Sequence, residues 1–190
     1  GAPKYGNDQQ EVDDLAAAVA SHFIDVMDPA RSPQGGRFVV HLFSFLANIS
    51  FGKGLGATAD GRRAGEPIAY SLSAQQGRDE EGVTALLRSL SRLPHARAAG
   101  ASAAIVDLEP AMVAGQQGID RLAQILRTAM VTGVGQLQFN ITTAERLQQA
   151  REDPETYGNI PVRVAGYSQL FRLLSPELHD HVIARTKHTR

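Results

Sequence analysis

The sequence contains no cysteine and no tryptophan among its 190 residues. The first absence excludes disulfide frameworks, thiolate-bound metals and thiol nucleophiles within these residues. Charge of one sign is missing too: 19 basic against 20 acidic residues leave a formal net charge of -1. That balance removes the general electrostatic case for nucleic acid or an anionic membrane as partner. No apolar run approaches the roughly 18 residues of a membrane span. The first residues lack a basic-then-apolar export pattern, so a cytoplasmic location is expected. The 6 histidines are scattered without metal-ligand spacing, which predicts no metal site. No G-x-S-x-G nucleophile pattern occurs either.

What is present is an alternation of helical and strand patterns. A chain of this length buries one sizeable core, so residues 1–190 are expected to form a single domain. Val12, Leu15, Ala16, Val19, Phe23 and Ile24 predict an amphipathic helix, capped by Asp8 and stopped at Asp28-Pro29. On it, Asp13 and Asp14 read as solvated or capping carboxylates. Phe38 to Leu46 reads as a strand buried on both faces, since only His41 and Ser44 interrupt its apolar run. In that setting His41 reads as a hydrogen-bonded core residue.

Further along, a helix is predicted from Thr84 to Leu93, with Leu86, Leu87 and Leu90 inward. A strand at Ser102–Val106, a helix at Ile119–Met130 and a strand at Gln136–Ile141 follow. Thr142 and Glu145 form a capping box at the start of the next helix. A short strand, Val162–Ala165, ends at Gly166, and a new helical pattern begins near Gln169. The last helix has Ser175 as N-cap and Pro176 at its first position. Alternation of this kind is the pattern of α/β folds with parallel strands and helical crossovers.

Two glycine features invite chemistry. The segment Gly52–Gly61 is the most glycine-dense, but Lys53 is followed by Gly54 rather than Ser or Thr, and the spacing is G-x-G-x-G. Both miss the phosphate-binding patterns, so a tightly folded connection is predicted. Gly166 by itself reads as a bend after a strand, where the missing Cβ permits close approach. Its alternative reading is that the glycine is the reactive residue.

Beyond these local patterns, Val162-Arg163-Val164-Ala165-Gly166-Tyr167-Ser168, with Gln169–Phe171 and Val182–Thr186, closely resembles the radical motif of the glycyl radical enzymes. Pro3–Asp8, Gly56–Pro67, Ser71–Ser73 and Gln138–Asn140 resemble that family's C-terminal landmarks in the same order. Thr58-Ala59-Asp60-Gly61-Arg62 and Ser73-Ala74 depart from it, since the usual landmarks are Thr-Pro-Asp-Gly-Arg and Ser-Pro. The resemblance implies the C-terminal half of a ten-stranded α/β barrel, with the glycyl-radical loop near the C-terminus. It implies a radical on Gly166 and recognition of Arg163, Val164, Tyr167 and Ser168 by an activating enzyme. That activating enzyme would use S-adenosylmethionine and an iron–sulfur cluster, leaving no bound cofactor in this chain. The stored radical would then oxidise a cysteine to a thiyl radical that attacks a small-molecule substrate.

The family carries that cysteine upstream of the Pro3–Asp8 landmark, and none is present here. The expectation is therefore a radical-bearing small subunit beside a larger, cysteine-bearing one. Val-Ala-Gly-Tyr-Ser is similar to the dehydratase and lyase branch, which implies C–O, C–N or C–S cleavage. His41 and Ser44 are candidate pocket contacts by position. A spare part for an oxygen-damaged enzyme, or a fragment of a longer chain, are the alternatives.

Overall fold

The computed structural model describes residues 2–190. Its organising strand is β2, Ala101–Leu108, buried at every position after the first. Small Ala103 and Ala104 alternate into β-branched Ile105 and Val106, which suits a strand covered on both faces. β1 (His41–Leu42) pairs in parallel with the start of β2, and β3 (Gln136–Ile141) pairs in parallel along its length. The edge that β1 uses is taken at the other end of β2 by β6, Lys187–His188, also parallel. The alternation in the sequence thus delivers a parallel α/β sheet.

Helices close the crossovers. α1 (Gln10–Met27) and α2 (Ala47–Gly54) precede α3 (Val83–Ser91), which leads into β2; α4 (Gly115–Val131) joins β2 to β3. Leu86, Leu87 and Leu90 of α3 are all essentially inaccessible, as their spacing predicts. They meet Ala104, Val106 and Leu108 of β2 and Ile125 and Ala129 of α4. At about 1.5–3 kcal/mol per fully buried leucine, this cluster is the main stabiliser of the sheet's helical side.

A second cluster lies under the C-terminal segment. There α5 (Ala144–Glu152) and α7 (Pro176–Ile183) supply Leu147, Ala150 and Val182 around Phe171. Between them, α6 (Pro154–Tyr157) is a single turn capped by Asp153, and the Ser175 cap of α7 forms as predicted. Among the described residues no helix is long and apolar enough to cross a membrane.

Several sequence expectations are corrected. The apolar run Phe38–Leu46 is not a strand buried on both faces. Only two of its residues pair, Phe45 turns the chain at φ +52°, and Phe38, Val39 and Phe45 are about half exposed. Likewise α1 forms, but Leu15, Val19 and Phe23 on its apolar stripe remain 64%, 62% and 52% exposed. In both cases the apolar pattern alone predicts burial, but the described residues leave these side chains uncovered.

Asp8 is not the cap of α1. Gln9 holds that position, while Asp8 sits at φ +54° and takes the Arg88 guanidinium on its carboxylate. Asp13 is fully buried rather than solvated, accepting from the Ser89 hydroxyl at 2.9 Å, and burial raises its pKa. Helix α5 is capped one residue later than predicted, by Thr143, because Thr142 is itself buried. Part of the glycine-dense connection is helical, since α2 runs through Gly54. A side chain at Gly52 would strike the Glu66 carbonyl, so this glycine serves close packing.

Candidate functional site

β4 (Pro161–Arg163) and β5 (Ser168–Leu170) form an antiparallel hairpin, with Arg163 opposite Ser168. The helical pattern predicted from Gln169 is absent there: the segment is strand, then a 3-10 turn at Phe171–Leu173. Alternation decides which side chains anchor it. Val162 and Val164 point into the second cluster and are 1% exposed, while Arg163 points the other way. The Val164 N–H donates to the Tyr167 carbonyl at 2.9 Å, leaving Ala165 and Gly166 as the turn.

Gly166 is exposed and lies at φ +86°, so it does not have the extended backbone of a strand end. A Cβ there would meet only the Phe43 ring, at 3.7 Å. Backbone conformation, not space, is what calls for glycine at this position.

No strand ladder ties the hairpin to the sheet; side chains of β3 and of the C-terminal segment do. The Asn140 carboxamide copies a backbone peptide: its Oδ1 accepts the Arg163 N–H at 2.6 Å, and its Nδ2 donates to the Arg163 carbonyl at 3.2 Å. Asn140 is itself aimed by a second bond, to Asp107 Oδ1 at 2.8 Å. Gln138 Oε1 accepts from Arg163 Nε at 2.8 Å and from the Gly166 N–H at 3.3 Å. Arg185 donates to the carbonyls of Arg163 (3.1 Å) and Val164 (3.2 Å), with its guanidinium 4.6 Å from the Tyr70 ring centre. Arg163 also reaches the Ser168 hydroxyl across the hairpin at 3.4 Å.

Behind these contacts sits a buried ion pair, Lys187 Nζ to Asp107 Oδ2 at 3.1 Å. Burial lowers the Lys187 pKa, and Asp107 opposes that shift. The Tyr70 hydroxyl is raised by burial. His181 stacks edge-on to Tyr70, and its Nδ1 accepts from the Gln76 carboxamide nitrogen at 2.9 Å. Its pKa falls to about 3, first through burial and then through Arg185 and Lys187, so it is neutral at ordinary pH. Close by, His188 and Thr186 both hold Asp79, which ties β6 down.

Of the sequence candidates, Arg163, Val164, Gly166, Tyr167 and Ser168 are gathered in this one hairpin. His41 and Ser44 are not part of its hydrogen-bond network. His41 is exposed, not a bonded core residue, and its ring fills the space a side chain at Gly100 would need. Ser44 accepts the Ser71 N–H at 2.7 Å. The residues of that segment that do reach the hairpin are Phe43 and Phe45, the latter 6.3 Å from the Tyr167 ring. Sequence reasoning gave no role to Gln138, Asn140 or Arg185. For the first two a signal existed: they lie two apart on a strand and so share a face. Among the described residues no three His, Asp or Glu side chains are grouped to hold a metal.

A family profile described as "Glycine radical" matches residues 68–172, and one described as "Pyruvate formate lyase-like" matches residues 1–52. The chain belongs to the glycyl radical enzymes. It is 38% identical to the probable dehydratase YbiW of Escherichia coli (strain K12), over 99% of this chain and 24% of that protein. With the isethionate sulfite-lyase of Bilophila wadsworthia (strain 3_1_6) it shares 34% identity, over 98% of this chain and 23% of that one. Among solved structures, the glycerol-bound B12-independent glycerol dehydratase from Clostridium butyricum superposes with a TM-score of 0.95 at 35% identity, covering 100% of this chain and 24% of that chain. The chain therefore spans about 24% of the length of such relatives. In glycyl radical enzyme terms, its parallel α/β sheet is the C-terminal part of the barrel.

Proposed function

We propose that Gly166 stores the radical and that residues 1–190 act as one glycyl-radical domain of a dehydratase- or lyase-type enzyme. The observation that carries this reading is the hairpin itself: an exposed glycine Cα at a turn whose base is fixed by Asn140, Gln138 and Arg185. A radical on a glycine Cα is shared between the electron-donating amide nitrogen and the electron-withdrawing carbonyl, and no side chain resists its planar shape. Arg163 and Val164 hold the base of the turn, while exposed Tyr167 and Ser168 form the face offered to the activating enzyme. That enzyme, with S-adenosylmethionine and an iron–sulfur cluster, removes one hydrogen atom from the Gly166 Cα.

In turnover the Gly166 Cα takes a hydrogen atom from a cysteine thiol, which restores the glycine and leaves the unpaired electron on sulfur. The cysteine is not among these residues. We place it on a larger companion subunit that completes the barrel and covers the apolar stripe of α1 and the Phe38–Phe45 segment. His41 and Ser44 lie two residues before and one after Phe43, whose ring a Cβ at Gly166 would meet, and are assigned as substrate contacts. Relatives named as dehydratases and as a sulfite-lyase support cleavage of a C–O, C–N or C–S bond. A match along the whole chain, rather than at the motif alone, favours a permanent subunit over an exchangeable spare part.

Anaerobic purification of the natively expressed protein tests the arrangement. A larger cysteine-bearing chain should co-purify, and activation of the complex should yield a glycyl doublet in electron paramagnetic resonance. An intact mass far above that of 190 residues would instead place the cysteine on the same polypeptide. No doublet after activation would refute the radical role.

A further inference from the structure

Gln138 is held on β3, opposite Ile105 of β2, and is itself buried. Two donors, the Gly166 N–H and Arg163 Nε, converge on one atom of its carboxamide, which identifies that atom as the oxygen. The Gly166 amide therefore delivers its only N–H to a fixed acceptor on a rigid strand. Among the described residues no donor reaches the Gly166 carbonyl. The two halves of the turn's central residue are thus treated differently: the amide side is bonded and the carbonyl side is free.

This asymmetry bears on electron distribution. An acceptor on an amide N–H draws the proton and leaves the nitrogen richer in electron density, an effect that polarises along a bonded chain. For an unpaired electron on the adjacent carbon, a richer nitrogen is a better donor. Arg163 works against this, because its guanidinium draws density from the same Gln138 oxygen at 2.8 Å. The acceptor strength seen by Gly166 is consequently set by one neutral carboxamide shared with one cation.

Resting on the assignment of the radical to Gly166, we propose that Gln138 is a positioning residue that tunes how far the unpaired electron spreads onto the Gly166 amide nitrogen. A glutamine supplies an acceptor without adding charge beside the turn. Leucine at this position removes the acceptor, and glutamate strengthens it.

The test uses the complete activated enzyme containing nitrogen-15 glycine, with the nitrogen coupling read by electron–nuclear double resonance. Gln138→Leu should lower that coupling and Gln138→Glu should raise it, shifting it in opposite directions from the wild-type value. Equal coupling in all three proteins, with the doublet intact, overturns the proposal. If Gln138→Leu does not fold, Gln138→Glu decides alone, and an unchanged coupling there is equally fatal. A doublet that survives Gly166→Ala would instead show that the radical resides elsewhere, and the tuning role falls with that assignment.

Discussion

The hairpin of residues 161–170 is held in opposite ways at its two ends. At its base, Arg163 and Val164 are pinned through their backbone groups by Asn140 and Arg185, with the Asp107–Lys187 pair buried behind. At its tip, Gly166, Tyr167 and Ser168 are exposed, and the bonds from the sheet side reach only the Gly166 N–H. Fixing the base by side chains rather than by a strand ladder leaves the turn projecting from the sheet edge with its position still determined. The base is thus rigid, and the exposed tip is the part that the proposed radical role requires to be accessible.

The largest expected effect breaks the tip alone. Gly166→Ala should abolish both the doublet and turnover. Because the residue sits at φ +86°, the change should also cost about 1–2 kcal/mol of stability. Chemical denaturation measures the second quantity, and a retained doublet would return Gly166 to a purely conformational role.

Breaking the base should act on folding first. Asp107→Ala strands a Lys187 ammonium with 6% side-chain exposure and removes the bond that aims Asn140. A loss of about 3–5 kcal/mol is expected in urea denaturation. The exposed Lys53–Glu177 pair offers the contrast, since Glu177→Gln should leave the urea denaturation curve almost unmoved.

Acidification reaches the base through His181. Its pKa is about 3 when folded, against the ordinary 6.5, so the unfolded chain takes up a proton that the folded chain refuses. This contribution is complete above pH 6.5 and is lost as pH falls toward 3, at up to about 1.4 kcal/mol per pH unit. A thermal-melt series from pH 7 to pH 4 should slope less steeply for His181→Gln than for the wild type; parallel slopes would remove His181 as the cause.

The smallest expected effect sharpens the contrast. Tyr167→Phe keeps the ring beside Phe45 and removes only a hydroxyl at the exposed tip. Its melting curve should shift by less than the equivalent of about 0.5 kcal/mol. Any loss in radical yield would then report contact with the activating enzyme, not a loosened fold.

Much of this was legible in the residues. Leucines at 86, 87 and 90 placed α3, the small and β-branched run placed β2, and Ser175-Pro176 placed the start of α7, because each depends on contacts within a few residues or on a simple period. The cap at Thr143 was missed by one residue, since both threonines satisfy the pattern and only the burial of Thr142 separates them. Asp13 was misjudged because its Ser89 partner arrives from a helix distant in sequence.

By itself the sequence determined the alternation of elements, the apolar faces and the motif that names the family. Those are carried by local spacing and by residue identity. Tertiary structure alone decided that Gly166 turns a hairpin rather than ends a strand, and that Asn140, Gln138 and Arg185 hold it there. The physical reason is that these bonds join residues more than twenty positions apart, and which polar atoms meet is settled only when β3, the hairpin and the C-terminal segment converge.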